Sequence, residues 1–295
     1  MTSPPADWLK LSAGESPWRP AASLVGTVSL EVAGYATPVV LAAEALERLY
    51  LPLLAMLDEQ ARSRRVLAGL AGIPGSGKST FVAAMTHLAD RLLGEGVFAA
   101  VGIDGWHLPN AVLDARTTLD ASGRSIPLRQ RKGGPESYDI PALAGALGRL
   151  KADDGPVNLP AYDRRLHEPV PDRLVITPRT RIVLVEGNYL LGIAAGDSSR
   201  QGRREPPALQ ERRPAKAPTW NTIASMLSPR FLLACDPATA RQRVIDRHIR
   251  GGCSLKDAKR KYDHNDGLNA RLVLAQTDHA DWIIELEPSP SFRKP

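Results

Sequence analysis

The segment Gly72-Ile73-Pro74-Gly75-Ser76-Gly77-Lys78-Ser79 constrains this chain more than any other. It matches G-x-x-x-x-G-K-[ST], directly after the apolar run VLAGLAG (66–72) and directly before a helical pattern. Glycines at these positions let the backbone turn until successive N–H groups converge on an anion, and the following helix adds the positive end of its dipole. Gly72, Pro74, Gly75, Ser76, Gly77, Lys78, Ser79 and Thr80 are therefore the candidate nucleotide-binding residues. Lys78 supplies a mobile cation for the β- and γ-phosphates, and the Ser79 hydroxyl suits Mg²⁺, so ATP and Mg²⁺ are the cofactors implied. A glycine-rich turn that caps a helix is the plain alternative. Even as a phosphate cradle, the motif does not separate a kinase from a GTPase, a motor or a switch.

Five short apolar runs share the β-branched character of buried parallel strands: VLAGLAG (66–72), VFAAVGI (97–103), RIVLVEG (181–187), FLLACD (231–236) and DWIIEL (281–286). Helical patterns alternate with them at Ser79–Leu93, Pro141–Lys151, Pro237–Ile249 and Leu255–Tyr262, which predicts an α/β fold with a sheet wrapped by helices. In such sheets ligands gather at the carboxyl ends of the strands. Ahead of this region, residues 1–42 read as an extension containing a hairpin over TVSLEVAGYATPVVL. A helix follows with Leu46, Leu49, Leu53, Leu54 and Leu57 on one face, kinked or broken at Pro52, and Arg62, Arg64 and Arg65 mark its exit to solvent.

The net charge of +6 raises the question of a nucleic-acid partner. Between residues 195 and 218, however, lie six basic residues (Arg200, Arg203, Arg204, Arg212, Arg213, Lys216) against three acidic ones, so half the excess sits in one segment rich in Pro, Gly and Ser. Such a segment cannot offset its ordering entropy by burial and reads as a disordered surface insertion. Neither nucleic acid nor membrane is an expected partner. No apolar run approaches the roughly 20 residues of a membrane span, and the N-terminus lacks a secretory pattern, so the cytoplasm is the expected compartment. The two cysteines have no metal-ligand spacing, and Cys235 reads as buried packing.

Where the apolar runs end, the chemistry collects. Asp104, at the end of the second run, suits a base for a substrate hydroxyl or a group that orients it, with a turn aspartate as the alternative. Glu186, at the end of the third, suits a Mg²⁺-bound water or an alternative base. Arg131 and Lys132 are candidates for substrate or phosphate contact, whereas Asp139 reads as an N-cap ahead of Pro141. The stretch Pro160–Pro169 gathers Tyr162, a histidine (His167) and acids, as a metabolite site or as a surface β-hairpin. Arg243, Arg247 and Arg250 share a helix face and either close over a transferring phosphoryl group or form a solvated face paired with Asp246.

Together these residues resemble the phosphoribulokinase/uridine kinase family of P-loop kinases, and within it the type I pantothenate kinases and their sugar-kinase-like relatives. The resemblance runs from about Leu53 to Leu286 and is carried by AGIPGSGKST, DGWHLPNAVL, RKGGPESYDIPAL, PAYDRRLHEPV, VLVEGNYLL, CDPATARQRVIDRHIRGG and NDGLNARLV, in the family's order. It implies a P-loop NTPase three-layer sandwich with a five-stranded parallel sheet in the order 2-3-1-4-5. It also implies Lys78 and Ser79 on ATP–Mg²⁺, Asp104 as base, substrate contacts from His107, Tyr162 and an asparagine of the pair Asn265 and Asn269, and an arginine-bearing lid. The small-molecule substrate is less defined. Pantothenate kinases carry Tyr-x-His where this chain has Tyr162-Asp163-Arg164, the Asn265-to-Asn269 spacing is one residue longer, and His167-Glu168-Pro169 is closer to other relatives. A sugar, a nucleoside or a pantothenate-like alcohol all stay open as acceptor. So do a homodimer and, as the competing class, a nucleotide switch without an acceptor.

Overall fold

A strand that is apolar at every position must be covered on both faces, and Val66–Ala71 (β3) is buried throughout. Val66, Ala68 and Leu70 face one core while Leu67 and Ala71 face the other, as the two-residue period of a strand requires. The computed structural model describes residues 17–18, 21–120, 123–152, 154–194, 217–286 and 290–295. The basic segment expected to be a disordered insertion lies, apart from residues 217 and 218, outside the described residues.

Before β3 come the antiparallel hairpin β1 (Gly26–Val32) and β2 (Tyr35–Leu41), then the helical segment α1 (Ala43–Ala45), a π-helical turn over Leu46–Tyr50, and α2 (Leu51–Gln60). The expected kink or break at Pro52 takes the form of an interruption: Pro52 sits in the first turn of α2, directly after the π turn. Having no N–H, it cannot close a regular turn, and the chain absorbs that as the π turn, in which the Leu51 N–H reaches back to the Leu46 carbonyl. The hairpin's Val39 and Leu41 are buried in the same core as α2 and β3.

After β3 follow α3 (Lys78–Leu92), β4 (Phe98–Gly102), α4 (Asn110–Ala115), the small ladder β5 (Thr117–Leu119) and β6 (Ser125–Pro127), α5 (Ile140–Ala152), and the hairpin β7 (Val157–Asp163) and β8 (Glu168–Ile176). Then come β9 (Ile182–Glu186), α6 (Trp220–Met226), β10 (Arg230–Leu233), α7 (Pro237–Arg250), α8 (Leu255–Lys261), α9 (Gly267–Leu274), β11 (Trp282–Glu285) and β12 (Ser291–Arg293).

The central sheet has six strands, not five, in the order β12-β11-β10-β3-β9-β4. Five are parallel, and β12 adds antiparallel to the β11 edge, where Phe292 packs on Trp282 at 5.3 Å between ring centroids. Register places Leu70, Glu186 and Gly102 side by side, so the phosphate loop that starts at Gly72 and the segment that carries Asp104 leave the sheet at one level.

Arg65 does not mark an exit to solvent. Its side chain is buried and donates to the carbonyls of Thr180 (2.8 Å), Leu150 (3.0 Å) and Thr177 (2.9 Å). Leu150 lies in the last turn of α5, whose carbonyls have no partners of their own, so a buried cation there satisfies both the hydrogen bonds and the helix dipole. Among the described residues no helix is long and apolar enough to cross a membrane.

Candidate active site

The loop between β3 and α3 turns through left-handed Gly75 (φ 84°) and Gly77 (φ 96°), conformations costly for any other residue. Gly75 also lies hard against α7, where a side chain would collide with the Ala240 carbonyl oxygen. Phosphate loop and arginine helix therefore pack directly on each other. Lys78 Nζ donates to the carbonyls of Gly72 (2.8 Å) and Ile73 (3.1 Å) and to Asn188 Oδ1 (3.0 Å). All three of its partners are neutral oxygens. Burial pulls the Lys78 ammonium down to about 8, against the opposing pull of Glu186 and Asp104.

Two polar atoms in this region are buried without a partner: Ser76 Oγ and Glu186 Oε2. The other Glu186 oxygen accepts a long hydrogen bond from Ser79 Oγ, at 3.4 Å. Burial raises the Glu186 carboxyl, Lys78 opposes that, and the charge of Asp104 adds to it. Orphaned polar atoms carry a desolvation cost that a ligand can relieve; Gln60 Nε2 and Glu136 Oε2 are orphaned likewise, so it is the position of Ser76 and Glu186 at the phosphate loop that makes these two candidates.

Asp104 sits in the short 3₁₀ turn Ile103–Trp106 that follows β4, and 44 % of its side chain is open. The Tyr138 hydroxyl donates to Oδ1 at 3.1 Å, and His107 Nε2 lies 3.5 Å from the same oxygen. Oδ2 takes no hydrogen bond from a described residue. Desolvation acts to raise this carboxyl, but His107, Arg164 and the Tyr138 hydroxyl outweigh it and hold it well below the usual carboxylate range. His107 stacks on Tyr138 at 4.0 Å and meets Tyr162 edge-on at 5.7 Å. Lys132 lies 5.0 Å over the Tyr162 ring, with Nζ donating to Asn110 Oδ1 and the His167 carbonyl, both at 2.7 Å. The stretch expected as a metabolite site or a hairpin forms the hairpin of β7 and β8, with Tyr162 beside His107.

Other expected site residues take different places. Arg131 is 4 % exposed and Asn269 2 %. The Arg131 guanidinium donates to Glu136 (3.1 Å), to Asn265 Oδ1 (2.6 Å) and to Asn269 Oδ1 (3.4 Å). Asn265 and Asn269 in turn donate to the carbonyls of Lys132 (2.7 Å) and Gly133 (3.1 Å). These three residues are satisfied by one another and by the backbone, so they hold the 131–134 loop in place. The His167 side chain is exposed at the hairpin turn, and its carbonyl, not its ring, is what the nearby residues use. Asp139 is the N-cap, accepting from the Ala142 N–H at 3.0 Å.

Cys235 packs against the core after β10 but is only half-buried, with Arg243 3.8 Å from its sulfur. On α7, Asp246 accepts from Gln242 rather than from an arginine, and Arg247 is 54 % exposed at 3.8 Å from Asp266. Arg247 still lies near enough for its charge to bear on Lys78. Sequence reasoning passed over Asn188, Tyr138 and Arg164. Asn188 follows Glu186 by two residues, a signal in hindsight; Tyr138 and Arg164 reach Asp104 only through the folding of distant loops.

No protein-family model matches the chain. The chain is 30 % identical over 246 residues to the uncharacterized protein YggC of Escherichia coli, covering 82 % of this chain and 88 % of that one. Over 226 residues it is 28 % identical to a provisionally named uridine kinase of Schizosaccharomyces pombe, covering 75 % and 83 %. A pantothenate kinase of Bradyrhizobium diazoefficiens shares 32 % over 163 residues, 55 % of this chain and 48 % of that protein. Among solved structures, a Silicibacter protein described provisionally as a fructose transport system kinase aligns with a TM-score of 0.57 at 26 % identity, over 76 % of this chain and 94 % of that one. The chain belongs to the phosphoribulokinase/uridine kinase-like family of P-loop kinases. It is a small-molecule kinase, a phosphotransferase with an alcohol group as acceptor.

For a P-loop kinase the residues present fit a nucleotide and its metal. Mg²⁺ keeps several waters and is held by one or two side chains together with substrate phosphates. Ser79 and the half-partnered Glu186 would be that protein share, and the loop amides with Lys78 would meet the phosphates.

Proposed function

We propose that this protein is an ATP- and Mg²⁺-dependent kinase that transfers the γ-phosphoryl group to a hydroxyl of a sugar, a nucleoside or a pantothenate-like metabolite. One observation carries the proposal: strand register sets the phosphate loop after β3, Glu186 at the end of β9 and the Asp104 turn after β4 along one edge of the sheet, with Ser79 Oγ 3.4 Å from Glu186.

Glu186 and Ser79 would hold Mg²⁺ or one of its waters, and the ion would supply neutralisation of phosphate charge. Lys78 exchanges its carbonyl partners for phosphate oxygens, and Asn188 keeps its stem in line. Asp104 accepts the acceptor hydroxyl on Oδ2. A carboxyl held so far below its usual range is a weak base, so its main work is orienting the hydroxyl for in-line attack, which a loose phosphoryl transition state needs more than early proton removal. His107 and Tyr138 fix Asp104, and Arg243 and Arg247 on α7 neutralise charge on the transferring group from the far side.

An ATP-consumption screen across hydroxylated metabolites tests this, with a productive acceptor accelerating turnover far above background. Asp104→Ala should cut that transfer by about 10²- to 10⁴-fold while nucleotide affinity is retained. An unchanged transfer rate would remove Asp104 from the role. Hydrolysis indifferent to every metabolite would favour a nucleotide switch instead.

A further inference from the structure

The nook beside Asp104 holds two cations and two acids, and their pairing is unequal. Each acid already has donors. Asp104 Oδ1 takes Tyr138 and His107, and the Glu168 carboxylate receives the Asn110 N–H at 2.9 and 3.1 Å. The cations have no such match. Lys132 donates to neutral oxygens alone, and no carboxylate lies within ion-pair distance of it among the described residues. Arg164 makes neither a hydrogen bond nor an ion pair with any described residue. Yet it is no ordinary solvated arginine. It lines, with Ser79 and Glu186, an open cavity of about 460 Å³ that runs along α3 and β4 to the tip of the β1–β2 hairpin. Asp104 lies outside that lining, but the charge of Arg164 also bears on Asp104.

Lys132 covers the Tyr162 ring, and Arg164, two residues further on, opens the turn that links β7 to β8. A guanidinium and an ammonium on these neighbouring segments, neither matched to a carboxylate of a described residue, suit an anion better than a neutral group.

We propose that Lys132 and Arg164 clamp a negatively charged group of the acceptor, a carboxylate or a phosphate, so that its hydroxyl is presented to Asp104 Oδ2. The proposal rests on the kinase function above and narrows its substrate class to anionic hydroxylated metabolites. Neutral sugars and nucleosides leave both cations without a partner and so bind less well.

The test uses the full-length protein and matched pairs of acceptors: D-glycerate against glycerol, D-gluconate against D-glucose, pantothenate against panthenol, and D-ribose 5-phosphate against D-ribose. The charged member of at least one pair should be preferred. Arg164→Ala should raise KM for that acceptor by about ten- to a hundredfold, the loss of one charge-assisted hydrogen bond, and Arg164→Lys should recover part of it. If a neutral member is preferred and Arg164→Ala leaves its KM unchanged, the clamp is overturned while the kinase function stands. A second measurement needs no acceptor: calorimetric titration of inorganic phosphate, and separately of acetate, into the complex with Mg²⁺ and a non-hydrolysable ATP analogue. Saturable heat that disappears in the Lys132→Met/Arg164→Ala double variant supports the clamp, and the stronger of the two anions identifies the group. Identical titrations of wild type and double variant overturn it, whatever the acceptor screen yields. Saturable binding with no acceptor turned over would instead count against the kinase function alone.

Discussion

Arg131 and Arg164 come from two loops of the same domain, and their surroundings could hardly differ more. The first is buried and holds Glu136, Asn265 and Asn269 at once; the second is exposed and paired with no described residue. The same division separates Arg65, tied to three carbonyls beneath the sheet, from Glu186, whose Oε2 is buried with no donor at all. A polar group satisfied from within stabilises the fold, whereas one left open at a cleft, at a cost in desolvation, is kept for a ligand.

If the distinction is sound, Arg131→Met should lower stability by about 3 to 5 kcal/mol, because Glu136 would be left buried and uncompensated. Denaturant unfolding would show this as a lower midpoint, and a loss under about 1 kcal/mol would erase the contrast with Arg164. Glu186→Gln should do the reverse. Phosphoryl transfer should fall by about 100-fold and need more Mg²⁺ for half-maximal rate, while the free protein keeps or gains thermal stability because a buried charge is gone. A matching loss of stability would assign Glu186 to the fold.

The pH dependence of Lys78 sharpens the same point. Burial lowers it from its usual 10.5 to about 8. Between those values the folded side chain is neutral while the unfolded one is still charged, so the unfolded chain binds more protons. The stability of the nucleotide-free protein should therefore rise as pH climbs from about 8 toward about 10.5, while nucleotide affinity falls over the same range because the phosphates lose their cation. Paired unfolding and binding titrations would show the two trends crossing, and Lys78→Met should flatten the first. The smallest effect belongs to Arg164→Ala, whose unfolding midpoint should stay within about 0.5 kcal/mol of wild type. A larger shift would mean that the guanidinium has a structural partner.

The phosphate loop, the strand-end carboxylates and the alternation of strands and helices were legible in the sequence because each depends on neighbours within a few residues: a glycine's freedom, a strand's apolar run, a helix N-terminus. The hairpin at 26–41 was legible for the same reason. Asn188 and Arg164 were missed, and Arg131, Asn265 and Asn269 were assigned to substrate, because the deciding fact in each case was which distant oxygen lay within reach. Arg65 is buried against expectation for the same reason, since residue type predicts average burial but not a particular position.

What the chain determined by itself was the nucleotide grip and the sheet that carries it, both written in local patterns whose geometry follows from backbone sterics. Which of its cations hold the structure and which await a ligand was decided only when strand register and loop packing brought partners from more than a hundred residues away, as from Arg131 to Asn265 and from Lys78 to Asn188. Charge acts through space, and distance in space is the one quantity that a linear order of residues does not contain.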